Sequence, residues 1–495
     1  MSVAGLDIGT SGCKIVVYDL EGNVKAACSH GYKEEGTDGY REIDPATVLS
    51  GVKACIKNVS KQLDEPIEAL AVGTLGESVV CVDGDGMALG KSMVTGDKRG
   101  IPEVEEILQK VGKEEIMAIT GIPASEMYSL PKLLWMNKHT NILRKAKYIF
   151  TYEDYIGFYL TGNRKISYSS ASRTMALDIE KKVWSSKLLE LAGISEKQMS
   201  LPVSAGTIVG RVLPEVAEEL GLSAGMQVVA GGHDQECAAL GAGVVTPGIG
   251  EDGHGTCEVL NLMLNEPLRN SSMMETDLAC IPGMIPGTYM TNLEITTCGI
   301  LMNWSRDCIF EGIHRRCREK GEDFFAYMDR KATELKTGLL VLPQFGSSGH
   351  PDINYDMKGM VWGLTIHTKP EEIYLAVKES LAFQMKMAYE YAGFLNIDVK
   401  QITITGGGAV SELTMQIRSD VFGVKTVSLK NKEAGTLGCM IAAATAMGHY
   451  SRFEEGVKRT VKILRTYRPR EEWKEYYQLK YERYKRLYHK MHDFI

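Results

Sequence analysis

Residues Val3-Ala4-Gly5-Leu6-Asp7-Ile8-Gly9-Thr10-Ser11-Gly12-Cys13-Lys14-Ile15-Val16-Val17 join two β-rich runs through a Gly-Thr-Ser-Gly turn, with one carboxylate, Asp7, just before it. Glycines at 9 and 12 permit close backbone approach, so successive amide N–H groups can point into one concavity. Such a turn cradles phosphate with backbone donors. Thr10 and Ser11 add hydroxyls, Lys14 adds charge, and Asp7 can hold a hydrated Mg²⁺ against the phosphates. The same residues also make an ordinary glycine-containing hairpin, and the rest of the chain has to decide between the two.

Strand-like and helical runs alternate almost throughout, the pattern of α/β layers. Residues 3–9, 12–19 and 24–30 read as consecutive strands, 70–74 and 78–82 as two more. Pro45–Gln62 reads as a helix with Asp44 as N-cap and Pro45 at the first helical position. A chain of 495 residues is too long for one core, so two large domains are expected. No long Pro/Gly/Ser linker separates them. The boundary is drawn in the segment 241–248, which divides the chain into 1–243 and 244–495.

A net charge of −7 argues against nucleic acid as the main partner, although a local cradle still binds phosphate. Asp7 interrupts the short N-terminal apolar run, so a signal peptide is not expected. No stretch of about 18 consecutive apolar residues is present, and no membrane partner is expected. Eleven cysteines, odd in number and without a C-x-x-C pair, fit reduced thiols in a cytoplasmic protein.

Past the boundary the opening hairpin recurs in outline: Gly250-Glu251-Asp252-Gly253-His254-Gly255-Thr256-Cys257-Glu258-Val259-Leu260 is again a glycine turn followed by an apolar strand. Two such hairpins, each opening a half of similar length, point to a duplicated domain with a ligand between the copies. Gln401–Thr405 runs as a strand into Gly406-Gly407-Gly408-Ala409, and a helix is expected from Ser411, its N-cap, with Glu412 in the first turn. Three glycines there let the backbone lie flat against a planar or phosphorylated ligand. Val228–Ala230 leads into Gly231-Gly232-His233-Asp234, where Asp234 reads either as an N-cap or as a base facing a ligand, and His233 is expected to point elsewhere. At the C-terminus Trp473, Tyr477, Tyr481, Tyr484, Tyr488 and Met491 fall on one helix face as a packing stripe, with the intervening Lys and Arg on the solvated side.

Together these pieces resemble the FGGY family of carbohydrate kinases, members of the actin-like ATPase superfamily, over nearly the whole chain. Asp7–Ser11 resembles the family's first phosphate motif, Gly255-Thr256 its second, and Gly406–Ala409 its adenosine motif. Met127–His139 fits the first family signature at every constrained position. The second is recognisable at Gly359–Leu364 and Ala376–Glu379, departing at Lys378, where a large apolar residue is usual. Ser169–Ser172, Trp184, Glu433 and Leu437-Gly438 also fall where the family has similar residues.

The resemblance implies two actin-like (ribonuclease H-like) α/β domains closing on a central cleft, with ATP and Mg²⁺ as cofactors and a small sugar or polyol as substrate. It makes Asp234 the base that takes the proton from the sugar hydroxyl and Asp7 the metal organiser, acting through water. Thr10 and Lys14 then address the transferred phosphoryl and Thr256 the ATP phosphates, with Gly9, Ser11 and Gly255 as further nucleotide-binding positions. Gly406, Gly407, Gly408 and Ala409 take the nucleoside.

Sugar identity is less constrained. Xylulose kinases carry Met-His and glycerol kinases Arg-Glu where this chain has Gly76-Glu77. The family's Trp-x-Asp-x-Arg appears as Thr95-Gly96-Asp97-Lys98-Arg99, which keeps Asp97 and Arg99 as expected hydroxyl ligands but loses the aromatic wall. Glu77, Asp97, Arg99 and Asp234 are thus the expected substrate contacts. The resulting expectation is an ATP-dependent kinase of a xylulose-like pentulose, with a glycerol- or erythritol-type polyol kinase as alternative. A non-metabolic actin- or chaperone-like ATPase is disfavoured, because neither the first signature nor Gly-Gly-His-Asp belongs to those branches. Homodimerisation is left open.

Overall fold

The computed structural model describes residues 1–37, 39–268, 271–346, 348–352, 354 and 356–492. The chain divides into two units. One gathers Met1–Val245, Met263–Thr291 and Glu433–Val461, the other Thr246–Leu262, Asn292–Lys432 and Lys462–Ile495. The first crossing between them falls inside the 241–248 segment, and the excursions at 263–291 and 433–461 return to the first unit.

The first unit is built on a six-stranded sheet in the order Ile208–Arg211, Gln227–His233, Ile67–Thr74, Ser2–Ile8, Gly12–Tyr18, Val24–Gly31. Ser2–Ile8 and Gly12–Tyr18 form the expected antiparallel hairpin, with Asp7 opposite Lys14. On its other edge Ser2–Ile8 runs parallel to Ile67–Thr74, which runs parallel to Gln227–His233. The second unit repeats this plan. Ile249–His254 pairs antiparallel with Glu258–Leu264 and parallel with Gln401–Gly406, which runs parallel to Lys425–Leu429. The duplication read from two glycine turns is therefore a duplication of topology.

Local chemistry explains the elements that hold the site. Asp44 caps the Pro45–Lys61 helix by accepting the Ala46 N–H at 2.9 Å. That helix buries Val48, Val52, Cys55, Ile56 and Val59 at steps of three and four. Each aliphatic side chain so buried contributes about 1.5–3 kcal/mol. The apolar Ala434–Ala446 helix lies directly on the Ser2–Ile8 strand and the Asp234–Gly241 helix. A Cβ on Gly5, Gly241 or Gly438 would collide with a backbone carbonyl, of Thr436, Ala434 and Cys237 respectively. This contact of backbones brings Glu433 beside Lys14 and Gly435 over the Asp7 carboxylate.

In the second unit the Glu471–His492 helix buries Trp473, Tyr477, Tyr481, Tyr484 and Tyr488, as the stripe implied. Lys480 departs from the expected solvated face. It is buried against Glu379, with which it forms an ion pair. Among the described residues no helix is long and apolar enough to cross a membrane, and the eleven cysteines form no disulfide.

Candidate active site

In the first hairpin the turn is tied down from behind. Gly9 N–H donates to the Gly12 carbonyl at 2.9 Å, Tyr32 N–H to the Ser11 carbonyl at 3.0 Å, and the Tyr32 hydroxyl to the Gly9 carbonyl at 2.7 Å. The carbonyls are thus occupied, while the N–H groups of Thr10 and Ser11 make no hydrogen bond among the described residues. That is the polarity an anion cradle needs. Asp7 is half-buried, and its carboxylate accepts no hydrogen bond and forms no ion pair among the described residues. Burial first, then the charge of Asp234, pushes its pKa up to about 7. Lys14 does not pair with Asp7 across the hairpin. Its Nζ sits 3.0 and 2.9 Å from the two Glu433 oxygens.

The Gln227–His233 strand ends where the Asp234–Gly241 helix begins, and His233 occupies the cap position. Asp234 is therefore the first helical residue rather than the N-cap, and its side chain stays one-third exposed. Its Oδ1 accepts the Gln235 N–H at 2.8 Å and lies 3.1 Å from His233 Nε2, while Oδ2 takes no hydrogen bond among the described residues. Burial raises the Asp234 pKa above the ordinary carboxylate value, and Glu77 and Glu236 add to this while His233 opposes it. His233 does not point elsewhere, contrary to the sequence expectation. Its Nδ1 is bonded to Glu236 Oε2 at 2.7 Å, and the change from strand to helix between 233 and 234 turns both side chains to one side. Burial favours the neutral ring, but Asp234 and Glu236 outweigh it and hold the imidazole charged, with a pKa of about 9.

Glu77 follows the Ile67–Thr74 strand, and the first signature fixes its backbone. Ser129 Oγ donates to the Glu77 carbonyl at 3.0 Å, and buried Lys132 reaches the same carbonyl at 3.4 Å and that of Met127 at 2.7 Å. Arg173 grips Glu77 Oε1 through Nε at 2.6 Å and through Nη2, and lies over the Tyr128 ring at 4.9 Å. Burial raises the Glu77 pKa, but Arg173, His233 and Lys132 outweigh it and hold the carboxyl at about 2. Oε2 keeps one long contact, from Thr95 Oγ1 at 3.3 Å. His233 Nε2 is 3.9 Å from Glu77 Oε1, so Glu77, His233, Asp234 and Glu236 form one charged cluster. Gly76 is explained by this cluster: a Cβ there would overlap the Arg173 stem and lie 2.8 Å from His233 Cδ2.

Asp97 and Arg99 do not join this cluster. Asp97 is fully buried, and its carboxylate accepts the N–H groups of Arg41 and Arg99 at 2.9 and 3.0 Å as well as the Arg99 guanidinium at 2.6–3.1 Å. Both carboxylate oxygens are thus engaged by donors of this chain. Arg99 also pairs with Glu42 at 2.7 Å and stacks 5.0 Å from the rings of Tyr40 and Trp135.

The second unit carries the other expected motifs. The carbonyls of Gly255 and Thr256 accept the N–H groups of Gly299 and Cys298 at 3.0 and 3.1 Å, so this turn is braced against the Gly299–Trp304 helix. Beneath it His254 Nε2 bonds Asp252 Oδ2 at 2.9 Å, and buried Arg418 bonds Glu258 Oε2 at 2.6 Å and lies 3.8 Å from Asp252. His254, Glu258 and Cys298 bring metal-ligating atoms within 4.8 Å of one another, but Arg418 already supplies the cation there. His254 also shapes the triple glycine: a Cβ on Gly406 would strike its carbonyl and one on Gly408 its ring, whereas at Gly407 the nearest atom is 3.7 Å away. Ser411 caps the Glu412–Phe422 helix as expected, accepting the Thr414 N–H at 3.1 Å, and Ala409 lies in the short 3-10 turn between. Lys378 is accommodated by a polar network, bonding Ser411 Oγ and Thr414 Oγ1 at 2.8 Å each and Asp329 at 2.7 Å.

The comparisons agree with this architecture. Residues 2–241 match the N-terminal domain and residues 253–447 the C-terminal domain of the FGGY family of carbohydrate kinases. A xylulose kinase of Staphylococcus epidermidis is 26% identical over 495 residues, covering 98% of this chain and 96% of the relative. An autoinducer-2 kinase of Yersinia enterocolitica is 28% identical over 489 residues, covering 96% and 91%. The crystal structure of a xylulose kinase from Rhodospirillum rubrum superimposes with a TM-score of 0.90 at 23% identity, covering 100% of this chain and 99% of that one. The chain belongs to the FGGY family of carbohydrate kinases and is an ATP:sugar phosphotransferase with a two-domain, actin-like α/β fold.

Proposed function

We propose that this kinase phosphorylates a hydroxyl of a small ketose of the pentulose class, with Asp234 as general base. A hydroxyl is a poor nucleophile, and a carboxylate in reach removes its proton as the new P–O bond forms. The observation that carries the assignment is the uncommitted Oδ2 of Asp234, on a side chain one-third exposed and adjoining the Glu77–Arg173 pair through His233. Glu77 Oε2, held by a single 3.3 Å contact, is then the acceptor for a second substrate hydroxyl. The open N–H groups of Thr10 and Ser11 take the transferred phosphoryl oxygens, and the Gly255-Thr256 and Gly406–Ala409 turns take the nucleotide. Lys14 approaches the phosphoryl from its Glu433 pair.

A divalent cation fits the first hairpin. The Asp7 carboxylate has no partner of its own among the described residues and is raised to about 7 by burial and by Asp234, a repulsion that a cation relieves. Asp7 would hold Mg²⁺ through water, and the ion would neutralise phosphate charge.

One observation favours the polyol alternative. Arg173 rebuilds against Glu77 the Arg-Glu pair that glycerol kinases carry on consecutive residues. A panel of D-xylulose, other ketoses, autoinducer-2, glycerol and erythritol, assayed by sugar-stimulated ADP release, decides between the classes. On the best substrate, Asp234→Asn should lower kcat by about 10²–10⁴-fold with nucleotide binding retained. A loss under roughly tenfold contradicts the base assignment.

A further inference from the structure

Four carboxylates crowd this end of the first unit: Asp7, Glu77, Asp234 and Glu236. A base in such company tends to hold a proton, and a protonated carboxyl cannot accept the one from the sugar. His233 stands between two of them. Its Nδ1 is bonded to Glu236 Oε2 at 2.7 Å and its Nε2 is 3.1 Å from Asp234 Oδ1. The residue is held in place: its backbone N–H donates to Ser169 Oγ at 3.1 Å, and a Cβ on Gly76 would come within 2.8 Å of its Cδ2. Glu236 is itself buried, and its Oε1 has no hydrogen-bond partner among the described residues, so the contact it makes is the one from Oε2 to the imidazole.

We propose that His233, anchored by Glu236, is the positioning residue of the catalytic base, holding Asp234 Oδ1 in a charge contact so that Oδ2 faces the substrate hydroxyl. The inference rests on the assignment of Asp234 as base. In the resting enzyme both ring nitrogens carry protons, and each faces a carboxylate. The imidazolium lowers the proton affinity of Asp234 against the opposing influence of burial, Glu77 and Glu236. The other charges facing the ring are Glu77, 3.9 Å from Nε2, and the Arg173 guanidinium, which opposes the imidazolium charge; Asp7 is coupled to it at longer range. During transfer the substrate O–H bond breaks, its proton goes to Asp234 Oδ2, and the oxygen electron pair forms the bond to phosphorus. His233 gains and loses nothing in that step. Its part is to keep the acceptor ionised and aimed.

The test is the pH profile of kcat/KM for the best panel substrate. His233→Gln keeps the volume and removes the charge. An opposite charge within 4–6 Å lowers a carboxyl pKa by about 1–3 units, so the acidic limb should move up by that amount, with KM for ATP unchanged. An acidic limb that stays in place in the folded variant overturns the proposal. Should His233→Gln fail to fold, Glu236→Gln decides. The ring then loses its second proton, and with it the positive charge facing Oδ1, at lower pH, and activity should fall on the alkaline side where the wild type holds; an unchanged alkaline limb overturns the proposal. Asp234→Asn separates the two readings. If it keeps turnover, base and positioning residue fall together. If it is inactive while both His233 and Glu236 variants keep the wild-type profile, only the positioning role falls.

Discussion

The two glycine hairpins share a backbone plan and treat their carboxylates in opposite ways. In the first, Asp7 stands beside the turn without a hydrogen bond or ion pair among the described residues, and its pKa is raised to about 7. In the second, Asp252 is fully buried, bonded to His254, near Arg418, and held below the usual carboxylate range despite burial, by His254 and then Arg418. Glu258 across the hairpin carries the strain of that crowding, pushed up to about 7 by burial and by Asp252 against the pull of Arg418. One hairpin therefore leaves a charge available to a ligand, and the other spends its charges on the fold. Duplication set the geometry, and divergence of the side chains divided the labour.

The largest effect expected from this contrast is on stability in the second hairpin. Asp252→Asn breaks a buried ion-paired network and should destabilise the enzyme by about 3–5 kcal/mol in denaturant unfolding. An unchanged midpoint would mean that the network is not what holds the hairpin. Asp7→Asn should behave oppositely. Turnover falls by about 10²-fold or more, the Mg²⁺ dependence shifts, and Tm does not drop. The sign follows from linkage. A carboxyl whose folded pKa is raised from 3.8 to about 7 makes the folded state bind the extra proton, so ionising it costs stability progressively as pH rises across that window. Asp7→Asn should thus gain most over the wild type above pH 7 in metal-free buffer. A fall in Tm there would contradict the view of Asp7 as uncommitted.

Asp97 extends the comparison to a third carboxylate. Its oxygens are engaged by Arg41 and Arg99, and each such charge-assisted hydrogen bond contributes about 1.5–3 kcal/mol. Asp97→Ala should lower Tm while leaving the sugar KM near the wild-type value in the folded fraction. A raised KM with intact Tm would return Asp97 to the sugar pocket.

What was legible in the sequence was local or periodic. The hairpins, the Asp44 and Ser411 caps and the aromatic stripe of the last helix all depend on neighbours within a few residues, and each was read correctly. The topological duplication followed from two short turns. The polar pairings were not legible, because folding brings their members together across the chain. Arg173 is 96 residues from Glu77, and nothing near Gly76 announces the guanidinium that replaces its side chain. Asp97 was singled out because its spacing resembles a family motif, and its hydrogen bonds to Arg99 and two backbone donors were not visible in that spacing. His233 was misread for a different reason: the rule that neighbours point apart holds within a strand, and fails where a strand gives way to a helix between the two residues. The one hint was the Glu three residues after the His, a spacing that returns to the same side in a helical turn.

The division of labour between the hairpins is tested most directly by cation binding. Mn²⁺ uptake can be followed by electron paramagnetic resonance in the presence of a non-hydrolysable ATP analogue, for the wild type, Asp7→Asn and Asp252→Asn. Asp7→Asn should lose the protein-dependent part of Mn²⁺ binding, and folded Asp252→Asn should keep it. Wild-type affinity in Asp7→Asn, or its loss in folded Asp252→Asn alone, would contradict this division of labour.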